Sequence, residues 1–96
     1  MRYYYYDRAE PKLHPTSYLV EEMELYNYPS VMVMSAELHI EIDSTNDWYV
    51  DFITINGVDG EVERLPEGHW LEASIRQTIS RDRKLQQSIY DACVEE

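Results

Sequence analysis

The chemically equipped side chains of this sequence are carboxylates, and the group whose spacing most resembles a metal loop lies in Asp43-Ser44-Thr45-Asn46-Asp47-Trp48-Tyr49-Val50-Asp51. Oxygen-bearing side chains occupy positions one, three, five and nine of an EF-hand calcium loop, but Trp48 stands where the loop needs glycine and Thr54 where a bidentate glutamate must close the shell. No metal site is expected. His14, His39 and His69 are isolated from one another, and with the single Cys93 they supply no four-ligand zinc spacing and no disulfide. His39 stands between Glu37 and Glu41 on one strand face, and Cys93 shares a helical stripe with Ile89 and reads as a small core residue. No serine sits in a G-x-S-x-G elbow and no glycine-rich loop is present to cradle a phosphate. The sequence therefore predicts a protein that is not an enzyme and carries no cofactor.

What remains is the layout of charge. The chain has 96 residues with 19 acidic and 8 basic side chains, a net charge of -11. Residues 21–72 hold 13 of the acids and one base, Arg64. So negative a segment is unsuited to direct binding of nucleic acid, which needs clustered Lys and Arg to release counterions, and it is repelled by anionic lipid. It suits a basic partner. Alternate residues of a strand face lie ~6.6 to 6.8 Å apart and neighbouring strands ~4.8 Å apart. Glu37, Glu41, Asp43, Asp47 and Asp51 are therefore expected to form an acidic lattice whose pitch is comparable with the ~3.4 Å charge spacing of a nucleic-acid strand. Trp48 and the tyrosine run 3–6, through Tyr4 and Tyr6, are the candidate anchors, because tyrosine and tryptophan are enriched where proteins meet. The tyrosines equally suit completion of the sheet. Arg76, Arg81, Arg83 and Lys84 make the one basic cluster, read as a solvated helix face or as the complement of the acidic sheet on a second copy.

The elements that must position these groups are legible from periodicity. A 44% hydrophobic content argues for a folded domain in spite of the charge. In residues 32–43, Met32, Met34, Ala36, Leu38, Ile40 and Ile42 alternate with Val33, Ser35, Glu37, His39, Glu41 and Asp43, which predicts a long strand with the first set on its apolar face. The turn-forming run 43–47 leads to a second strand over 48–55, in which Val50 and Phe52 share one parity and Ile53 and Ile55 the other, so that either a bulge intervenes or both faces are covered. Asn56-Gly57 and Asp59-Gly60 predict a reversal into a short strand over 61–65. Upstream, 22–26 predicts a strand, or alternatively a helical turn, and 27–30 the turn that follows it. Beyond Pro66, which with Glu67 suits a helix N-terminus, Trp70 or Leu71, Ile75 and Ile79 recur at helical spacing, and Leu85, Ile89 and Cys93 form an offset second stripe, so the helix is expected to kink or restart near Ser80, with Ser80, and Asp82 behind it, to cap the fresh start. The expected fold is α+β: a single domain over 1–96, with an extended aromatic arm (1–17), an antiparallel meander of about four strands (18–65) and one or two C-terminal helices (67–95) packed on one face. No secretory signal and no membrane-spanning apolar run are read in the sequence, so a cytoplasmic location is expected.

The segments Ile53-Thr54-Ile55-Asn56-Gly57-Val58-Asp59-Gly60 and Leu65-Pro66-Glu67-Gly68-His69-Trp70-Leu71-Glu72 resemble those of small acidic proteins encoded by bacteriophages and prophages, over roughly residues 31–79. The resemblance implies a host-defence inhibitor of the anti-CRISPR or anti-restriction DNA-mimic type. Its partner would be a basic host protein or nucleoprotein complex in the host cytoplasm. The alternative is a small homo-oligomeric phage structural or accessory protein, in the simplest case a homodimer, with a solvated acidic face.

Overall fold

A computed structural model describes residues 11–56 and 60–94. Four strands, β1 (Thr16–Leu25), β2 (Tyr28–Ile42), β3 (Trp48–Asn56) and β4 (Val62–Arg64), form an antiparallel meander in the order β1-β2-β3-β4. Two helices, α1 (Trp70–Arg81) and α2 (Arg83–Val94), follow it and cover one side. The fold is the α+β arrangement that the sequence predicts. Tyr4 and Tyr6 lie outside the described residues, as does the reversal at 57–59.

The core forms where the apolar side of the sheet meets the helices. Leu38 and Ile40 of β2, Ile53 of β3, Ile75 of α1 and Ile89 and Cys93 of α2 are essentially inaccessible to solvent. Both helical stripes face inward as their spacing predicts, and burial holds the Cys93 thiol above its ordinary pKa. The break between the helices is at Asp82, whose backbone is extended and whose Oδ1 accepts the Leu85 N–H at 3.1 Å. It caps the first turn of α2. α1 begins at Trp70, later than the Pro66-Glu67 start expected from the sequence, because Gly68 adopts φ +86 and His69 N–H closes a turn onto the Pro66 carbonyl. His69 is then the N-cap, its Nδ1 accepting from Leu71 N–H.

Two irregularities of the strands matter, the first a bulge of the kind the parity change in β3 predicts and the second a departure from the expected pattern. In β3, Val50 pairs with Ile40 and Phe52 with His39, so Asp51 is the extra residue of a β-bulge. That bulge reverses the parity, allowing Val50 and Ile53 both to be buried. In the β1–β2 hairpin the unbroken alternation of β2 does not give one apolar face. Ala36, Leu38 and Ile40 point to the core, but beyond them it is Val33 that is buried, whereas Met32 and Met34 are 48% and 62% exposed. β1 changes sides at the same level, from Tyr18 and Val20 to Met23 and Leu25. The cause is Glu22, which has φ 58 and lies beside Met34 between the pairs Glu21–Ser35 and Met23–Val33. A left-handed residue there rotates the distal hairpin. The turn is at Tyr26-Asn27 rather than at 27–30, and Pro29 is tolerated within β2 because residues 29–31 have no partner in the register.

The distal hairpin is fastened to α1 by polar contacts. Tyr26 N–H donates to Thr78 Oγ1 at 2.8 Å, Ser74 Oγ donates to Asn27 Oδ1 at 2.6 Å, and Asn27 Nδ2 donates to Gln77 Oε1 at 3.0 Å. At the other end Asn46, with φ 65, brackets residues 11–13: its Nδ2 donates to the Pro11 carbonyl and its Oδ1 accepts from Leu13 N–H. Leu13, expected in an extended arm, is instead buried in the core.

Candidate partner-binding surface

The side of the sheet turned away from the helices carries Glu37 and Glu41 on β2, as the alternation predicts, with His39 between them. The neighbours of that row are mixed in character. Glu37 lies across from Leu19 on β1 and Thr54 on β3, and Glu41 across from the exposed Tyr49. His39 is stacked on Phe52 at 4.1 Å between centroids, and the Arg64 guanidinium lies 4.1 Å from the same ring. His39 Nε2 is 3.3 Å from Thr54 Oγ1 and 3.6 Å from Glu37 Oε1. The face thus passes from carboxylates on the hairpin to a His-Phe-Arg stack at the β3–β4 side.

The other predicted acids are not part of one lattice. Asp43 and Asp47 occupy the β2–β3 turn, where Asp43 Oδ1 accepts from Thr45 Oγ1 at 2.7 Å, Thr45 N–H at 2.9 Å and Asp47 N–H at 3.1 Å, and Asp47 Oδ2 accepts from Thr45 Oγ1. The Thr45 hydroxyl, followed by those two backbone donors, holds the Asp43 carboxyl below its ordinary pKa. These carboxylates are engaged in building the turn. Asp51 sits at the bulge and lines a depression of about 400 Å³ with Arg64 and Arg76, beside bases rather than beside Glu37. Trp48 is half-buried and packs on the core, so little of it stands free as an anchor.

The basic cluster is partly consumed within the fold. Arg76 Nη1 and Nη2 donate to the carbonyls of Val50 and Asp51 at 2.7 and 3.0 Å, and its Nε pairs with the buried Glu72. This satisfies backbone acceptors at the bulge of β3, beyond the stretch that β4 pairs. Arg81 lies over the Tyr26 ring at 4.1 Å. Arg83 and Lys84 remain exposed at the elbow, where Arg81, Arg83, Gln86 and Tyr90 line an open cavity of about 670 Å³.

The structure adds carboxylates that the sequence reading passed over. Glu21, Glu22 and Glu24 of β1 are all exposed. With Glu37 and Glu41 they give the hairpin five exposed or half-exposed carboxylates, and residues 16–42 contain no Lys or Arg. The signal was present in Glu22-Met23-Glu24-Leu25, whose alternation places the acids opposite the core. No helix among the described residues is long and apolar enough to cross a membrane. No family model matches the chain, and neither a curated protein nor a solved structure matches it.

Proposed function

We propose that the protein is a non-catalytic inhibitor that occupies a basic, nucleic-acid-binding surface of a host defence complex through the outer face of the β1–β2 hairpin. The observation that carries this reading is the hairpin itself: five glutamates and no cation from Thr16 to Ile42. The resemblance of residues 31–79 to small phage-encoded proteins supplies the defence context. Such a surface acts by position and field. Long-range attraction speeds encounter with a cationic groove, and the occupied groove is closed to its own polyanion.

The test is affinity capture from bacteria that carry CRISPR and restriction systems, followed by the dissociation constant of the captured complex as a function of salt. The expected result is a linear rise of log Kd with log salt, and a loss of about tenfold or more for Glu21→Lys combined with Glu37→Lys at unchanged circular dichroism. A salt-independent Kd, or an unaffected charge-reversal variant, rules the reading out.

A second reading, a small homo-oligomeric phage accessory protein, rests on the exposed Arg83 and Lys84 at the helix elbow, opposite in sign to the hairpin. Light scattering separates the two, because a stable dimer that covers the glutamates leaves no acidic face for another protein.

A further inference from the structure

The outer face of the hairpin is acidic, but it is not only acidic. Leu19 and Val62 are 56% and 66% exposed and line one shallow depression of about 160 Å³ that spans the sheet, with Glu37 at its side. Met34 and Met32 of β2, nearer the hairpin turn, are exposed as well. Single exposed apolar side chains are ordinary on a protein surface, but four of them set among the carboxylates of one sheet point to a contact surface.

The two exposed methionines owe their position to a strained residue. Had the β2 alternation continued past Ala36, Met34 would be buried and Val33 exposed; the left-handed backbone of Glu22 reverses this. A non-glycine residue in that region costs energy that the surrounding contacts must offset. What the molecule gains is a pair of flexible, polarisable thioethers held outward among carboxylates. Across the ladder Met32 faces Glu24 and Leu19 faces Glu37, so each of these two exposed apolar side chains has an acid as its cross-strand neighbour.

We infer that the occupant of this face is a basic amphipathic protein segment. Its apolar side chains seat on Leu19, Met34 and Val62, and its Lys or Arg residues lay their aliphatic stems along the methionines while their cationic ends reach the glutamates. The charge complementarity that selects this occupant rests on the acidic-face reading above; the exposed Leu19, Met32, Met34 and Val62 are what that reading leaves unexplained. Strand addition is not the mode, because the outer edge of β1, which no strand pairs among the described residues, carries Glu21, Glu22, Glu24 and the kink, all of which oppose edge pairing.

The experiment uses two synthetic peptides of equal length and charge, one an amphipathic Lys/Leu sequence and one with serine replacing leucine, titrated into protein labelled at its methionine methyl groups. The Lys/Leu peptide is expected to shift Met32 and Met34 but not the buried Met23, and to retain binding in high salt while the Lys/Ser peptide is released. Met34→Ser with Leu19→Ser should weaken the Lys/Leu peptide by about tenfold or more in high salt and leave the Lys/Ser peptide unchanged. Met32→Gln, a single exposed substitution, provides a second variant with an intact amide spectrum. Equal affinities that vanish together with salt overturn the amphipathic occupant and leave the electrostatic reading standing. Binding of neither peptide in low salt removes both. Concentration-dependent shifts of the same methionines without peptide, with dimer mass by light scattering, overturn the inference in favour of a second copy.

Discussion

In the half of the β1–β2 hairpin that lies in the four-stranded sheet, residues 16–20 and 36–42, side chains alternate as a strand pattern demands, with Ala36, Leu38 and Ile40 buried against the helices. In the half beyond it, residues 21–25 and 28–35, the same chain presents Met32 and Met34 to solvent and is fastened to α1 by side-chain hydrogen bonds to the turn. The first half is fixed by apolar burial, the second by one kinked residue and a few polar contacts. Burial is strong and insensitive to detail, whereas the polar fastening depends on each donor finding its acceptor. Substitutions should therefore act differently on the two halves.

The largest effect is expected in the sheet. Leu38→Ala removes a fully buried side chain and should cost about 2–5 kcal/mol in urea unfolding, with every probe changing together. A value near zero would mean that the core is not where the two layers meet. Next is Thr78→Val, which leaves the Tyr26 N–H without its acceptor and should cost about 1–3 kcal/mol. Here hydrogen exchange is the discriminating measurement: amides 23–33 should open more readily while those at 36–40 keep their protection. Uniform loss of protection would erase the distinction between the halves.

A smaller effect, with a sign that sharpens the comparison, is expected at Glu22. Glycine at φ 58 relieves the left-handed strain, so Glu22→Gly should stabilise by up to about 1 kcal/mol, whereas Glu22→Val should destabilise by about 1–2 kcal/mol. If valine were tolerated, with Met34 becoming protected from oxidation, the kink would not be what turns the methionines outward. The smallest effect lies at the far end of the sheet. Because the folded pKa of Asp43 lies below its reference value of 3.8, its contribution is present above that value and is lost as pH falls through the lower folded one. Asp43→Asn should flatten the fall of Tm in this acid range, and an unchanged slope would detach the carboxylate from the stability of the turn.

The same contrast explains what could be read from the sequence. The meander, both helical stripes and a break in the helix near Ser80, found at Asp82, follow from periodicity and capping, which are local. The bulge in β3 was foreshadowed by the parity change between Phe52 and Ile53. The reversal at Glu22 was not, since an unbroken alternation of apolar residues from Met32 to Ile42 carries no mark of which half faces inward, and glutamate is not a residue that advertises a positive φ. The candidate surface was legible as a charge but not as a place. Glu37 and Glu41 stand where expected, yet Asp43 and Asp47 serve their own turn, Asp51 lies among arginines, and the glutamates of β1 complete the face. Those assignments depend on contacts between residues far apart in the chain, such as Arg76 with the bulge, which no spacing rule encodes.

The lack of cations on the hairpin also determines how the surface can be reached by reagents. Lys12 and Arg64 bound a stretch, residues 13–63, without a single site for trypsin, so a digest releases β1 to β4 together as one fragment. Amine-directed labels leave that fragment unmarked inside the chain, and an amine cross-linker cannot report a protein docked on it. Carbodiimide coupling has the opposite bias. It would join Glu21, Glu24 or Glu37 directly to lysines of whatever lies against them, and the junction would be found by mass on a single, predictable peptide.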